Sequence, residues 1–285
     1  MKKQSTNKKS FSFRNFLSGL FAIVAVGALF YPIVANVIVS YQTQSTITKF
    51  NHSISILSAT EIKNKLAQAK AYNNYLFEMS QNLNTEVKKP DYYKSLNIDS
   101  SGIMGYLSIP QIKLNNVPIY HGDSEETLMV GIGHLPQTSF PIGGVNTHAV
   151  LSAHSGRANN TLFSDIQYMK LGDVFYVTTL DLKLKYKIVN KKIVTPDDVS
   201  DLSIHKGKDE VTLVTCYPTG VNTHRLLVTG ERISYAEKTK SEAIQRNQFG
   251  YDFWVILGSI LLAMAGLIWI GYKWKKQNQK QRKDI

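Results

Sequence analysis

The sequence predicts a mainly β exported domain, preceded by helices and held between two membrane-spanning helices. Three observations predict it. Short runs rich in β-branched and aromatic residues recur from Gly105 to Thr229, punctuated by Gly, Pro, Asn and Asp. A helical periodicity without Gly or Pro precedes them over residues 45–88. Uncharged apolar segments at 17–39 and 253–272 each carry basic residues on their outer flank.

The apolar segments are long enough to span. About 20 apolar residues, at a rise of about 1.5 Å each, cross a hydrocarbon core of about 30 Å. Trp254, Trp269, Tyr272 and Trp274 lie near the ends of the second segment, where aromatic rings favour the headgroup zone. The first segment exceeds the apolar stretch of a signal peptide, and no small-x-small cleavage site follows, so it reads as an uncleaved anchor. Lys2, Lys3, Lys8, Lys9 and Arg14 precede it; Lys273, Lys275, Lys276, Lys280, Arg282 and Lys283 follow the second. The positive-inside rule then places both termini in the cytoplasm and residues 40–252 outside the cell membrane.

The same tails account for most of the formal charge of +12; the body between them holds 22 basic against 20 acidic side chains. A nucleic-acid footprint places its excess on the folded domain, so nucleic acid is excluded as a partner and the lipid bilayer is expected as one.

The 285 residues divide into a basic tail (1–16), a span (17–39), a helical stalk (40–94), a β domain (95–235), a juxtamembrane link (236–252), a second span (253–272) and a second basic tail (273–285). In the stalk, Ile54, Leu57, Ile62, Leu66, Ala69, Tyr72, Leu76 and Phe77 form an apolar stripe that predicts one or two helices packing on the main domain. Seven or eight strands in about 130 residues predict a closed barrel or a sandwich. Asp123-Ser-Glu-Glu126 reads as a capped helix start, and residues 161–169 as a second short helical turn.

The chemistry centres on Cys216, the only cysteine. It ends the apolar run Val211-Thr-Leu-Val-Thr-Cys216, before the turn Tyr217-Pro-Thr-Gly220. A lone thiol is either a buried small hydrophobe or a reactive group, and a reactive one needs a neighbouring positive charge to become thiolate near neutral pH. Flanking threonines, the following turn and a nearby cation favour the reactive reading. Two cations qualify, a histidine or Arg225, which begins the run Arg225-Leu-Leu-Val228. Of seven histidines, His154 ends Ala149-Val-Leu-Ser-Ala-His154 just as Cys216 ends its own run, so two strand ends opening on one rim would bring imidazole and thiol together. Spacing alone leaves a structural histidine open. Asp165 either orients that imidazole or caps a helical turn. The histidines show neither H-x-x-x-H nor H-x-x-E-H spacing, so no metal site is expected. Gly131-Ile-Gly133 has no surrounding βαβ unit and is set aside as a nucleotide loop.

Taken together, these motifs resemble the sortase family. Thr212-Leu-Val-Thr-Cys216 is similar to the sortase Thr-Leu-x-Thr-Cys signature. Thr147-His-Ala-Val-Leu-Ser-Ala-His154-Ser-Gly is similar to its histidine segment, and His224-Arg-Leu-Leu-Val-Thr-Gly230 to its arginine segment. The resemblance spans about residues 100–235 and is greatest to class C, the pilin-polymerising sortases, which carry a helical N-terminal extension and a second C-terminal span. It implies an eight-stranded sortase β-barrel, with Cys216 as nucleophile, His154 as acid and base, and Arg225 as stabiliser of substrate and oxyanion. It implies transpeptidation of surface-protein precursors, pilins among them, at a Leu-Pro-x-Thr-Gly-like signal, with no cofactor or metal. Attachment to cell-wall precursor, peptidase activity and a non-catalytic binding module are the rival readings. Class C enzymes usually carry a lid with an Asp-Pro-aromatic motif; residues 82–96 hold Pro90-Asp91-Tyr92, the wrong order, so a lid of that kind is not expected.

Overall fold

In the computed structural model, the described residues are 13–83, 88–156, 162–237 and, in part, 258–276. The chain divides into two compact units, Met1–Ala35 with Gln245–Ile285, and Asn36–Ile244. Helix α1 (Phe13–Ser55) includes the first apolar segment. Among the described residues no helix is long and apolar enough to cross a membrane. Parts of the second predicted span, and the link beyond residue 237, lie outside the described residues.

The predicted helical stalk is two helices. The chain breaks at residues 56–58, and α2 (Ala59–Ser80) starts on a capping box: Ser58 Oγ accepts from Glu61 N while Ser58 N donates to the Glu61 carboxylate. The apolar stripe packs as expected. Ala69 and Tyr72 are buried in the main core, and Ile54, Leu57, Ile62, Leu66 and Leu76 pack against it. Asn73 fixes the docking: its Nδ2 donates to Phe140 O (3.1 Å) and its Oδ1 accepts from Phe140 N (2.7 Å).

Eight strands follow: β1 (Ile103–Ile109), β2 (Leu114–His121), β3 (Ile132–His134), β4 (Thr147–Ser152), β5 (Val174–Thr179), β6 (Leu182–Val194), β7 (Asp209–Tyr217) and β8 (His224–Ile233). They close into a barrel in the order β1-β2-β3-β4-β7-β8-β6-β5, which decides between barrel and sandwich. The β2–β3 and β4–β7 pairs are parallel and the others antiparallel. Helix α3 (Glu125–Val130) makes the crossover between β2 and β3, with Ser124 Oγ accepting from Thr127 N as its cap. The second expected helical turn is a 3-10 turn at Ile166–Tyr168.

Strands β4 and β7 are apolar on both faces because both faces are covered. Ala149, Leu151, Val211 and Leu213 face the main core. Val150 and Val214 join Val194 and Leu227 in a smaller cluster, with Leu135 and Leu202 packed against it. Residues 195–208, which connect β6 to β7, supply Leu202 to that outer face.

Tyr92, from the segment where a lid motif was sought, is buried between the helices and the barrel. Its ring stacks on Phe140 (centroids 5.3 Å apart) and on His134 (5.7 Å). Its hydroxyl accepts from Gly122 N (2.9 Å) and lies 3.0 Å from His134 Nδ1. His134 Nε2 is 2.8 Å from Ser139 O, and a carbonyl only accepts, so Nε2 carries the proton and Nδ1 is an acceptor; the single Tyr92 hydroxyl proton is within reach of both Nδ1 and His134 O, each 3.0 Å away. Tyr92 and Tyr93 thus part company: the first is a structural pin and the second is exposed.

Burial pushes the His134 imidazole down to about 4 from its usual 6.5. Its neutral form is therefore built into the fold. Between those two pKa values the unfolded chain binds more protons than the folded one, so stability falls as pH drops through this window. From about pH 7 to about pH 4.5 this residue alone should cost the wild type roughly 2–3 kcal/mol. Urea melts at both pH values should show that loss shrinking in His134→Gln. An unchanged pH dependence in the variant would contradict the buried neutral ring.

Candidate active site

The site is built by strand register. In the parallel β4–β7 pair, Ser152 sits beside Val214. Beyond the end of β4 the two chains stay tied: Ala153 N donates to Val214 O (3.2 Å), Thr215 Oγ1 to Ala153 O (2.7 Å) and Ser155 Oγ to Cys216 O (2.8 Å). His154 lies between two residues that are each bonded to the Val214–Cys216 segment. In the antiparallel β7–β8 pair, Cys216 is directly opposite Arg225, so their side chains share one face of the sheet. The register therefore brings residues 154, 216 and 225 to the same end of β4, β7 and β8.

Each group is partly exposed rather than sealed. Cys216 is a free thiol of intermediate burial. The His154 side chain is 23% exposed; its Nε2 has no hydrogen-bond partner but lies 3.5 Å from Glu125 Oε1 on α3. Arg225 Nη1 donates to His224 O (3.1 Å) and Asn222 O (3.4 Å), and among the described residues Arg225 forms no ion pair with a carboxylate. A guanidinium held by backbone carbonyls, with no acidic partner, retains N–H groups for an incoming oxygen.

The remaining candidates separate clearly. His224 is exposed, pairs with Tyr217 across the sheet and bonds Thr223 Oγ1, on the face opposite Arg225. His121 bonds the carbonyls of Gly102 and Ser95, and His134 belongs to the aromatic stack. His148 lies on the outer face at the start of β4, bonded to Ser203 O and Thr212 Oγ1. Thr212, a flanking residue in the sequence argument for the rim, belongs to that outer network and not to the rim; Thr215 is the threonine that serves the site. Asp165 is buried at the N-cap position of the 3-10 turn and makes no side-chain cap bond to it. Gly131 is packing, not a nucleotide loop: a Cβ there would lie 2.7 Å from the Tyr120 ring and 2.8 Å from Pro118 O.

Sequence reasoning missed Glu125. It appeared only as a helix-start carboxylate, because nothing in the local pattern places α3 beside the end of β4. The antiparallel β3–β4 pairing does so, with Gly133 opposite Ser152 and α3 immediately before β3.

A closed barrel carrying its lone cysteine, a histidine and an arginine at the same end of neighbouring strands has the residue types a cysteine-dependent acyl transfer requires. Comparison with known proteins agrees. The sortase-domain family model matches residues 107–233. Sortase D of Bacillus subtilis (strain 168) is 30% identical over 158 residues, covering 54% of this chain and 75% of that protein. Among solved structures, sortase C of Clostridium perfringens, determined with the C-terminal cell wall sorting motif, is 45% identical with a TM-score of 0.59, covering 67% of this chain and 98% of that one. Sortase C1 of GBS Pilus Island 1 is 36% identical with a TM-score of 0.63, covering 68% and 100%. The chain belongs to the sortase family, the cysteine transpeptidases, and its structural neighbours are class C members.

The tie between Thr215 and Ala153 gives a sharp test of how the site is held. Thr215→Val keeps volume and removes the bond that fixes the residue before His154. Turnover should drop about tenfold or more, since small misplacements of reacting groups are costly. Labelling of Cys216 by a thiol reagent should persist. Wild-type turnover in this variant would show that the strand tie does not position His154.

Proposed function

We propose that the chain is a membrane-anchored transpeptidase that polymerises pilins or joins other surface-protein precursors through their sorting signals. The observation that carries this reading is the pairing of Cys216 with Arg225, beside a β4 end tied to β7. The class C neighbours, one of them solved with a C-terminal cell wall sorting motif, support the choice of substrate.

The steps follow from the side chains. The Cys216 thiolate attacks the carbonyl carbon of the scissile peptide in a Leu-Pro-x-Thr-Gly-like signal. Arg225 donates hydrogen bonds to the carbonyl oxygen as charge builds on it. The C–N bond breaks, and His154 gives its proton to the leaving amine. The thioester that remains is attacked by an incoming amine, in this reading a pilin lysine. His154 takes the proton from that amine, the C–S bond breaks, and Cys216 leaves as thiolate. The new bond is an isopeptide, and the peptide's free energy passes through the thioester without a cofactor. Glu125 Oε1, 3.5 Å from His154 Nε2, is the carboxylate beside that imidazole.

In the same reading, residues 17–39 and 253–272 span the membrane, both termini are cytoplasmic, and residues 95–235 form the external catalytic domain. Charge flanking supports this topology. Anchoring enzyme and membrane-held precursors on one surface raises their effective concentration.

Three experiments test the reading. Incubating the enzyme with a sorting-signal peptide and either pilin or cell-wall peptide as acceptor should give the pilin-lysine isopeptide product. Joining only to cell-wall peptide would redirect the function to cell-wall anchoring, and release by water alone would make it a peptidase. Arg225→Ala should lower kcat by about 100-fold or more with little change in KM, as for loss of an oxyanion donor; unchanged kcat would remove Arg225 from the reaction. Separately, a reporter active only in the cytoplasm, fused after Ile285, should give signal. Signal from a reporter active only outside would contradict the two-span topology.

A further inference from the structure

His148, His205 and Glu210 come from three different elements: the start of β4, the β6–β7 connection and the start of β7. One potential ligand atom from each lies within 4.8 Å of the others. We propose that these three side chains form a binding site for a divalent transition metal ion of the zinc class, on the outer face of the barrel. The proposal does not depend on the transpeptidation reading, and it departs from the sequence-based expectation of no metal.

The cluster is built into the fold. His148 and Glu210 are neighbours in the parallel β4–β7 register, so the sheet holds two of the ligands together. His148 is buried, and its ring is oriented by Ser203 O (2.8 Å from Nδ1) and Thr212 Oγ1 (2.7 Å from Nε2). Thr212 is in turn bonded to Thr229 Oγ1 (2.8 Å). Whichever ring nitrogen turns to the ion gives up one of these bonds; the other keeps the ring in place, as outer-sphere partners of ligating histidines do. His205 Nδ1 already lies 2.6 Å from Glu210 Oε2.

Charge argues in the same direction. The Glu210 side chain is 3% exposed, yet the side chains paired with it, His205 and Lys208, are 51% and 46% exposed. A carboxylate taken out of water needs firm compensation, and two half-solvated side chains supply little of it. A divalent ion supplies it directly. Lys208 Nζ, 3.4 Å from Glu210 Oε1, is the competing cation and swings into solvent when the ion enters.

The donor set selects the metal. Two imidazoles and one carboxylate suit zinc and its transition-metal neighbours, with a fourth position left to water on the exposed His205 side. Calcium and magnesium want six or more oxygens or a hydrated carboxylate site, and are not matched. Ligands of one zinc ion lie about 3–3.5 Å apart, given metal–ligand distances near 2.0–2.2 Å. His205 stands on a loop, and its rotation closes the remaining gap. The bound ion would fasten the β6–β7 connection to the barrel, and the other end of that connection, Val194, pairs with Arg225.

The test uses the untagged full chain in detergent, carrying Cys216→Ala so that the active-site thiol cannot ligate. Zinc uptake is measured by competition with a chromophoric chelator, and thermal unfolding is followed with and without zinc. One zinc per chain and a raised unfolding midpoint are expected. His205→Ala, which changes a half-exposed side chain and leaves the fold intact, should weaken uptake at least about tenfold, in line with losses at metal ligands and their supports. Glu210→Gln should do the same. Absence of saturable uptake, or uptake that His205→Ala leaves unchanged, would overturn the proposal.

Discussion

The parallel pairing of β4 with β7 is the constraint on which the rest of the molecule depends. Parallel neighbours end at the same rim, so the residues that follow β4 and those that end β7 meet there. A one-residue slip would turn Cys216 to the other face of the sheet and take the thiol away from Arg225 and the mouth. Register is held on both sides of these strands: Ala149, Leu151, Val211 and Leu213 are locked into the main core, and Val150 and Val214 into the outer cluster. The chemistry is thus a consequence of packing energy spent on β4 and β7.

The N-terminal helices act on the same barrel from another side. Tyr72 and Asn73 on α2 grip the Phe140 region, and Tyr92 fills the space among Phe140, His134 and His121. His134 is the residue of β3 opposite Leu151 of β4. The helices therefore brace β3, and through β3 they brace the strand that delivers His154. The extension is part of the catalytic domain's scaffold rather than a passive stalk, and the segment in which a lid motif was sought is engaged, at Tyr92, in that bracing.

Much of this was legible in the sequence. β-branched and aromatic runs marked seven strands, because each had to bury at least one face. The stripe from Ile54 to Leu76 marked the helices, because its spacing matched a helix lying on a core. Strand β3 escaped notice: it is three residues long, and Gly131 before it and Gly133 within it look like a loop until Tyr120 and Pro118 at the first, and Gly122 and Asp123 at the second, are seen to demand the absence of a side chain. Cys216, His154 and Arg225 were readable as types at strand ends, but their placement at the same end of neighbouring strands needed barrel order, which is a property of long-range pairing. Thr212 illustrates the reverse error. Its nearness to the thiol in sequence suggested a rim residue. It lies four residues before the thiol on the same face of β7, so it meets His148 and Thr229 further down the strand and does not reach the rim. Glu125 and the His148–His205–Glu210 cluster were invisible for the same reason, since each joins elements distant in sequence.

The central claim is that the strand register delivers a working thiol to a peptide substrate. Mass spectrometry of the intact chain and its proteolytic fragments, after exposure to a sorting-signal peptide, tests this most directly. The account predicts an acyl adduct confined to the fragment containing Cys216, discharged when an amine acceptor is added. An adduct on any other residue, or none despite turnover of the peptide, would contradict it.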